Sequence, residues 1–173
     1  MKKLFQFMLL MFAFTALSSN TTFAQKYGHL NSGNLLSQMP EVTKADEALA
    51  TYQEKLGEAF KVKVDAFQKK YNDLVQQVNT GTMSQVQIQT EENALREEQA
   101  ALAKEEQDNV AKVQQKRQEL LQPLLDNVDK AIKEVGKENG YSMIFETSII
   151  NTILFAEDAD DVMPLVKKKL GIQ

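Results

Sequence analysis

A chain of 173 residues with 20 Lys+Arg against 24 Asp+Glu, one His, no Cys and no Trp excludes thiol catalysis, disulfide staples and Cys-ligated zinc. The apolar residues are unevenly placed: five of the nine Phe and three of the seven Met fall within the first 23 residues. From residue 25 onward there are 18 basic and 24 acidic side chains, a net charge of −6, and four Phe plus four Tyr are the only aromatics. So lean a composition predicts long helices meeting along narrow seams rather than one thick core.

The N-terminal segment has basic Lys2-Lys3, an apolar run from Leu4 to Leu17 broken only by Gln6 and Thr15, and the small-x-small site Thr22-Phe23-Ala24. This pattern predicts a secretory signal cleaved after Ala24. The run is shorter than the roughly 20 apolar residues of a membrane span, so no stable membrane insertion is expected after cleavage. With no Cys, a lipid anchor is excluded. Export without disulfides suits a bacterial cell envelope and predicts a periplasmic location.

Lys26 to Asn31 reads as a strand, followed by a short helix capped by Ser32, running through Leu35, Leu36 and Met39 and stopping around Pro40. From Thr43 to Val78, apolar residues recur at Leu49, Tyr52, Leu56, Phe60, Val64, Phe67, Tyr71, Leu74 and Val78, in steps of three and four. That is a heptad-like helical stripe. Asn79-Thr80-Gly81-Thr82 supplies a turn, Ser84 a helix N-cap, and the return arm carries Ile88, Leu95 and Leu102 at seven-residue intervals. The seam fades over Lys104 to Asn109 and resumes at Val110, Val113, Leu120, Leu124, Val128, Ile132 and Val135. Pro123, deep in this arm, is expected to kink it into two segments.

Gly136 and Gly140 end the helical pattern. The β-branched and aromatic runs Tyr141 to Thr147 and Ile149 to Ala156 read as two strands joined by a short turn. A last helix, capped by Asp158 or Asp160, ends in Lys167-Lys168-Lys169 and stops at Gly171. The strand-like pieces therefore flank the helical arms. The expected fold class is α+β, mainly helical: a long antiparallel hairpin (43–138, tip near 79–84) inserted in a small β-containing body (25–42 and 139–173). Three short strands leave open edges that identical copies would close, so oligomerisation is predicted. Leu30, Met143, Phe145, Ile153 and Phe155 are the expected interface residues.

Chemistry is sparse. His29 is the only His, which leaves neither a metal-ligand set nor a Ser-His-Asp arrangement, and no phosphate loop, dinucleotide fingerprint or calcium loop occurs. No catalytic, cofactor-binding or metal-binding residue is expected, and the protein is read as a non-enzyme. The pairs Glu91-Glu92, Glu97-Glu98 and Glu105-Glu106 lie on a helix without a pocket and read as a solvated face. From Glu91 to Asp108, seven acids face only Arg96 and Lys104, which argues against nucleic acid as a partner. Lys61, Lys63, Lys69, Lys70, Lys112, Lys116 and Arg117 read as solubilising groups and inter-arm ion-pair partners.

The chain resembles the Skp/OmpH family of periplasmic outer-membrane-protein chaperones. The resemblance rests on the signal segment, on Tyr27-Gly-His-Leu-Asn-Ser-Gly-Asn-Leu-Leu-Ser-Gln-Met-Pro, on the charged hairpin, and on Tyr141-Ser-Met-Ile-Phe-Glu followed by Ile153-Leu-Phe-Ala and Asp160-Asp-Val-Met-Pro-Leu-Val-Lys. It implies a homotrimer whose strands form a shared body and whose hairpins surround a cavity. Unfolded outer-membrane proteins would be held there without ATP and kept from aggregating. Members of the family are strongly basic, whereas this chain is acidic from residue 25 onward, so no lipopolysaccharide site is carried over. The alternative reading is a structural coiled-coil adaptor of the cell envelope docking one defined partner.

Overall fold

Residues 25–150 and 152–172 are described by the computed structural model, so the expected signal segment, residues 1–24, lies outside the described residues. Strand β1 (Lys26–Leu30) leads into the short helix α1 (Ser32–Ser37), and helices α2 (Pro40–Asn79) and α3 (Gln85–Glu138) form the hairpin. Strand β2 (Tyr141–Glu146), a 3₁₀ turn (Asp158–Asp160) and helix α4 (Met163–Leu170) complete the chain. The protein is mainly helical, with long helices and one two-stranded sheet.

Local chemistry sets the boundaries. Asn31, rather than Ser32, caps α1, its side-chain oxygen accepting from the Asn34 N–H at 2.8 Å. Pro40 starts the long helix instead of ending the short one, because a proline at the first helical position gives up a donor that has no partner there. Thr80 and Gly81 make the reversal, Gly81 at φ +66, and Ser84 and Gln87 form a reciprocal capping box for α3. α3 runs as one continuous helix through Pro123, not as two segments. Asn139 and Gly140, the latter at φ +70, end it and send the chain into β2.

At 40 and 54 residues, the arms are about 60 and 80 Å long. They run antiparallel with a fixed register: Lys63 Nζ lies 2.6 Å from Glu105 Oε1 and Lys70 Nζ 2.9 Å from Glu98 Oε2, pairs seven residues apart on each arm. The two lysines are thus inter-arm ion-pair residues, as their charge pattern suggested. These pairs are largely solvated, so each contributes under about 1 kcal/mol and selects register more than it stabilises.

The core sits at the far end from the tip. Leu30, Leu35, Met39, Val128, Ala131, Val135, Val162 and Val166 form it, drawn from β1, α1, the residue before α2, α3, and α4 with the residue before it. Val128, Ala131 and Val135, within the 43–138 stretch, belong to this core. Gly28 is required beside it: a Cβ there would lie 2.8 Å from Val162 Cγ1 and 3.0 Å from Tyr141. α4 is pinned on α3 by Lys169, whose ammonium lies 2.6 Å from Glu138 and 3.0 Å from Glu134. Those hydrogen bonds raise the Lys169 pKa and lower that of Glu134.

Candidate functional site

β1 and β2 pair in parallel, with Tyr27 opposite Met143, His29 opposite Phe145 and Leu30 opposite Glu146. The parallel direction follows from the crossover, since the whole hairpin intervenes and α3 brings the chain back to where β1 began. Period-two alternation then divides the sheet. Gly28, Leu30 and Ile144 turn toward the core, and Tyr27, His29, Met143 and Phe145 turn outward. The Tyr27 and Phe145 rings sit 6.1 Å apart at 45°, a tilted aromatic pair on the outer face.

The segment after β2 continues this apolar surface. Ile149 to Ala156, expected as a strand, has no strand assignment among the described residues. Among the described residues the segment pairs with neither strand, and β propensity expresses fit to a neighbouring pleated surface rather than a backbone preference. Ile150 is 87% exposed, Leu154 88% and Phe155 82%. Ile153, Phe155 and Ala156 fold back toward Tyr27, His29 and Phe145 to line an open groove of about 400 Å³. Beside it, β2 has β1 on one side only, whereas the outer side of β1 is met by Asp161 and by the Val162 N–H donating to the His29 carbonyl at 3.0 Å. The outer edge of β2 is therefore open among the described residues, a row of backbone donors and acceptors ready for another strand.

Two polar side chains frame the face. Glu146 Oε1 accepts from the Ser148 N–H at 2.7 Å and the Ser32 N–H at 3.1 Å. Burial alone would raise its pKa, but these hydrogen bonds outweigh burial and hold the carboxyl below its ordinary value. His29 Nε2 lies 3.1 Å from the Glu157 carbonyl.

Of the five expected interface residues, Met143 at 57% and Phe145 at 42% are exposed on the outer face, Phe155 projects from the loop, and Ile153 is half-buried in the groove. Leu30 is the correction: at 2% exposure it is spent on the chain's own core and has no side-chain surface left for another copy. The β1 side chain that faces outward is Tyr27, 42% exposed. The signal was available, because alternation along β1 puts Leu30 and Tyr27 on opposite faces.

The arms carry a second apolar surface. Two helices cannot enclose each other, and of their length only Ala45 and Leu95 are buried away from the body. Val64, Tyr71, Val75 and Val78 remain partly open along α2. Phe67, Tyr71, Leu74, Val78 and Leu95 line a groove of about 570 Å³ near the tip. Where the seam was expected to fade, Leu56, Gly57 and Phe60 face Glu106, Asn109 and Val110 across another, of about 430 Å³. No group of His, Asp and Glu suited to a metal ion occurs among the described residues, and no helix there is long and apolar enough to cross a membrane.

A family model described as outer membrane protein (OmpH-like) matches residues 26–170. Among solved structures, one from Caulobacter crescentus CB15, titled as that of a candidate outer membrane chaperone (OmpH-like), superposes with a TM-score of 0.72. It covers 85% of this chain and 84% of that chain at 15% identity. At such identity the likeness shows a shared fold. No curated protein matches the chain.

Proposed function

The chain belongs to the OmpH-like family, whose model spans residues 26–170, and on that premise we propose that it is an ATP-independent periplasmic holdase. In this reading three copies join through the outer sheet face and the loop after β2, and their hairpins enclose a cavity that holds unfolded outer-membrane proteins. Residues 25–42 and 139–173, with the end of α3, form the assembly body, and the arms do the holding. The protein acts by binding, and no residue is given a catalytic role.

The observation that carries the proposal is the pairing of two unlike apolar surfaces on one chain. The body concentrates Tyr27, Met143, Phe145, Leu154 and Phe155 at one end, as a self-association face does. The arms spread Val64, Tyr71, Val75 and Val78 thinly over a long solvated rod. Many weak, scattered contacts suit clients with no common sequence, whose unpaired strands aggregate when left alone. A chain carrying six more acids than bases beyond residue 24 would capture clients through apolar contact more than through charge.

The test dilutes a urea-unfolded outer-membrane barrel protein into buffer containing the purified protein and follows light scattering. Scattering should be suppressed at stoichiometric ratio, with little loss between low and moderate salt because apolar contacts are not screened. Unchanged client aggregation in the presence of a folded, assembled protein would overturn the proposal. Pull-down of one defined partner, with no barrel proteins, would favour a structural adaptor instead.

A further inference from the structure

We propose that the apolar segment between β2 and the 3₁₀ turn is a preset strap, clamped at one foot by the Glu146 carboxylate and at the other by the His29 imidazole. These two positioning residues fix its two ends where a second copy of this chain docks. The proposal rests on the assembly reading above.

The described residues of this segment have no ladder and no helix of their own, yet they display Ile149, Ile150, Leu154 and Phe155 to solvent. A stretch of that composition with free ends would sample many shapes, and each would have to be narrowed before docking. Fixing a loop beforehand raises affinity by removing that ordering cost from the binding step.

The first foot is tight. One oxygen of Glu146 accepts both the Ser148 N–H at the start of the strap and the Ser32 N–H at the start of α1, at 2.7 and 3.1 Å. The Thr147 N–H donates to the Leu30 carbonyl at 2.9 Å, so the strap leaves β2 tied to β1 as well as to α1. A Cβ on Gly33 would stand 3.6 Å from Ser148 Cβ, which shows how closely the strap rests on that helix. An ionised carboxylate makes these bonds stronger than a neutral acceptor would.

The second foot uses the chain's only histidine. Its partner is the Glu157 carbonyl, an acceptor, so Nε2 donates at 3.1 Å. On the same residue the main-chain carbonyl accepts from Val162, placing the foot where the core begins. Neither Glu146 nor His29 belongs to the core cluster. Their side chains touch the strap's two ends and leave Ile150, Leu154 and Phe155 outward.

The test compares the purified wild-type protein with Glu146→Gln, Glu146→Ala, His29→Gln and His29→Phe by hydrogen–deuterium exchange, and by light scattering on dilution. In Glu146→Ala the amides next to Ser148 should exchange several-fold faster, with Glu146→Gln intermediate because it keeps an uncharged acceptor. His29→Phe should loosen the Glu157 end, and His29→Gln, which retains a donor, should rescue it. The arms should exchange as in wild type, and the loosened variants should dissociate at several-fold higher concentration. Unchanged strap exchange in both Glu146→Ala and His29→Phe would overturn the clamps, as would equal acceleration throughout the core. A wild-type protein that stays monomeric would defeat the assembly reading, while strap exchange would still decide whether the clamps exist.

Discussion

Replacing Phe155 with Asp is expected to dissociate the assembly while leaving the single chain folded. Phe155 is 82% exposed in one copy, so its ring is not part of the chain's own core. Burying such a side chain against a partner contributes about 2–3 kcal/mol, which is on the order of 30- to 150-fold in an equilibrium constant. An Asp at that contact would also place an unpaired carboxylate where water is excluded. Size-exclusion chromatography with light scattering at low micromolar concentration should therefore show single chains of undiminished helicity. Persistence of the wild-type oligomer in Phe155→Asp would remove this residue from the interface.

Leu35→Ala should produce the opposite separation, damaging the chain itself. Leu35 is fully buried among Leu30, Met39, Val135, Val162 and their neighbours, a core of eight buried residues that organises everything beyond the arms. Truncating a leucine in such a place costs about 2–5 kcal/mol, a large part of the roughly 5–15 kcal/mol that holds a domain folded. The urea or thermal midpoint should fall sharply, with assembly lost as a consequence. For contrast, Lys63→Ala, which removes an exposed inter-arm pair, should change the midpoint by less than about 1 kcal/mol. An unchanged midpoint in Leu35→Ala would mean that the core does not organise the body as described.

The two variants also mark what could be read in advance. The hairpin was legible because its signals are local: apolar steps of three and four from Leu49 to Val78, a turn at Gly81, and the Ser84–Gln87 box. The loop carrying Phe155 reads as a strand in the sequence because a β-branched run looks the same whether or not it is paired, and among the described residues it pairs with neither β1 nor β2. Leu30 belongs to the expected interface as a body-strand residue, but the alternation along β1 turns it inward and leaves Tyr27 and His29 on the outer face. Pro40 was legible as a boundary but not as the start of the longer helix. Glu146 and His29 gave no signal beyond being polar residues within strands, since their partners Ser32 and Glu157 lie 114 and 128 residues away.

Whether this protein assembles around its clients is tested most directly by native mass spectrometry of the purified protein, alone and mixed with an unfolded outer-membrane barrel protein. The expected spectrum shows three copies alone and three copies holding one client, with Phe155→Asp reduced to single chains. Single wild-type chains, with or without a bound client, would contradict the assembly of this protein into a cage.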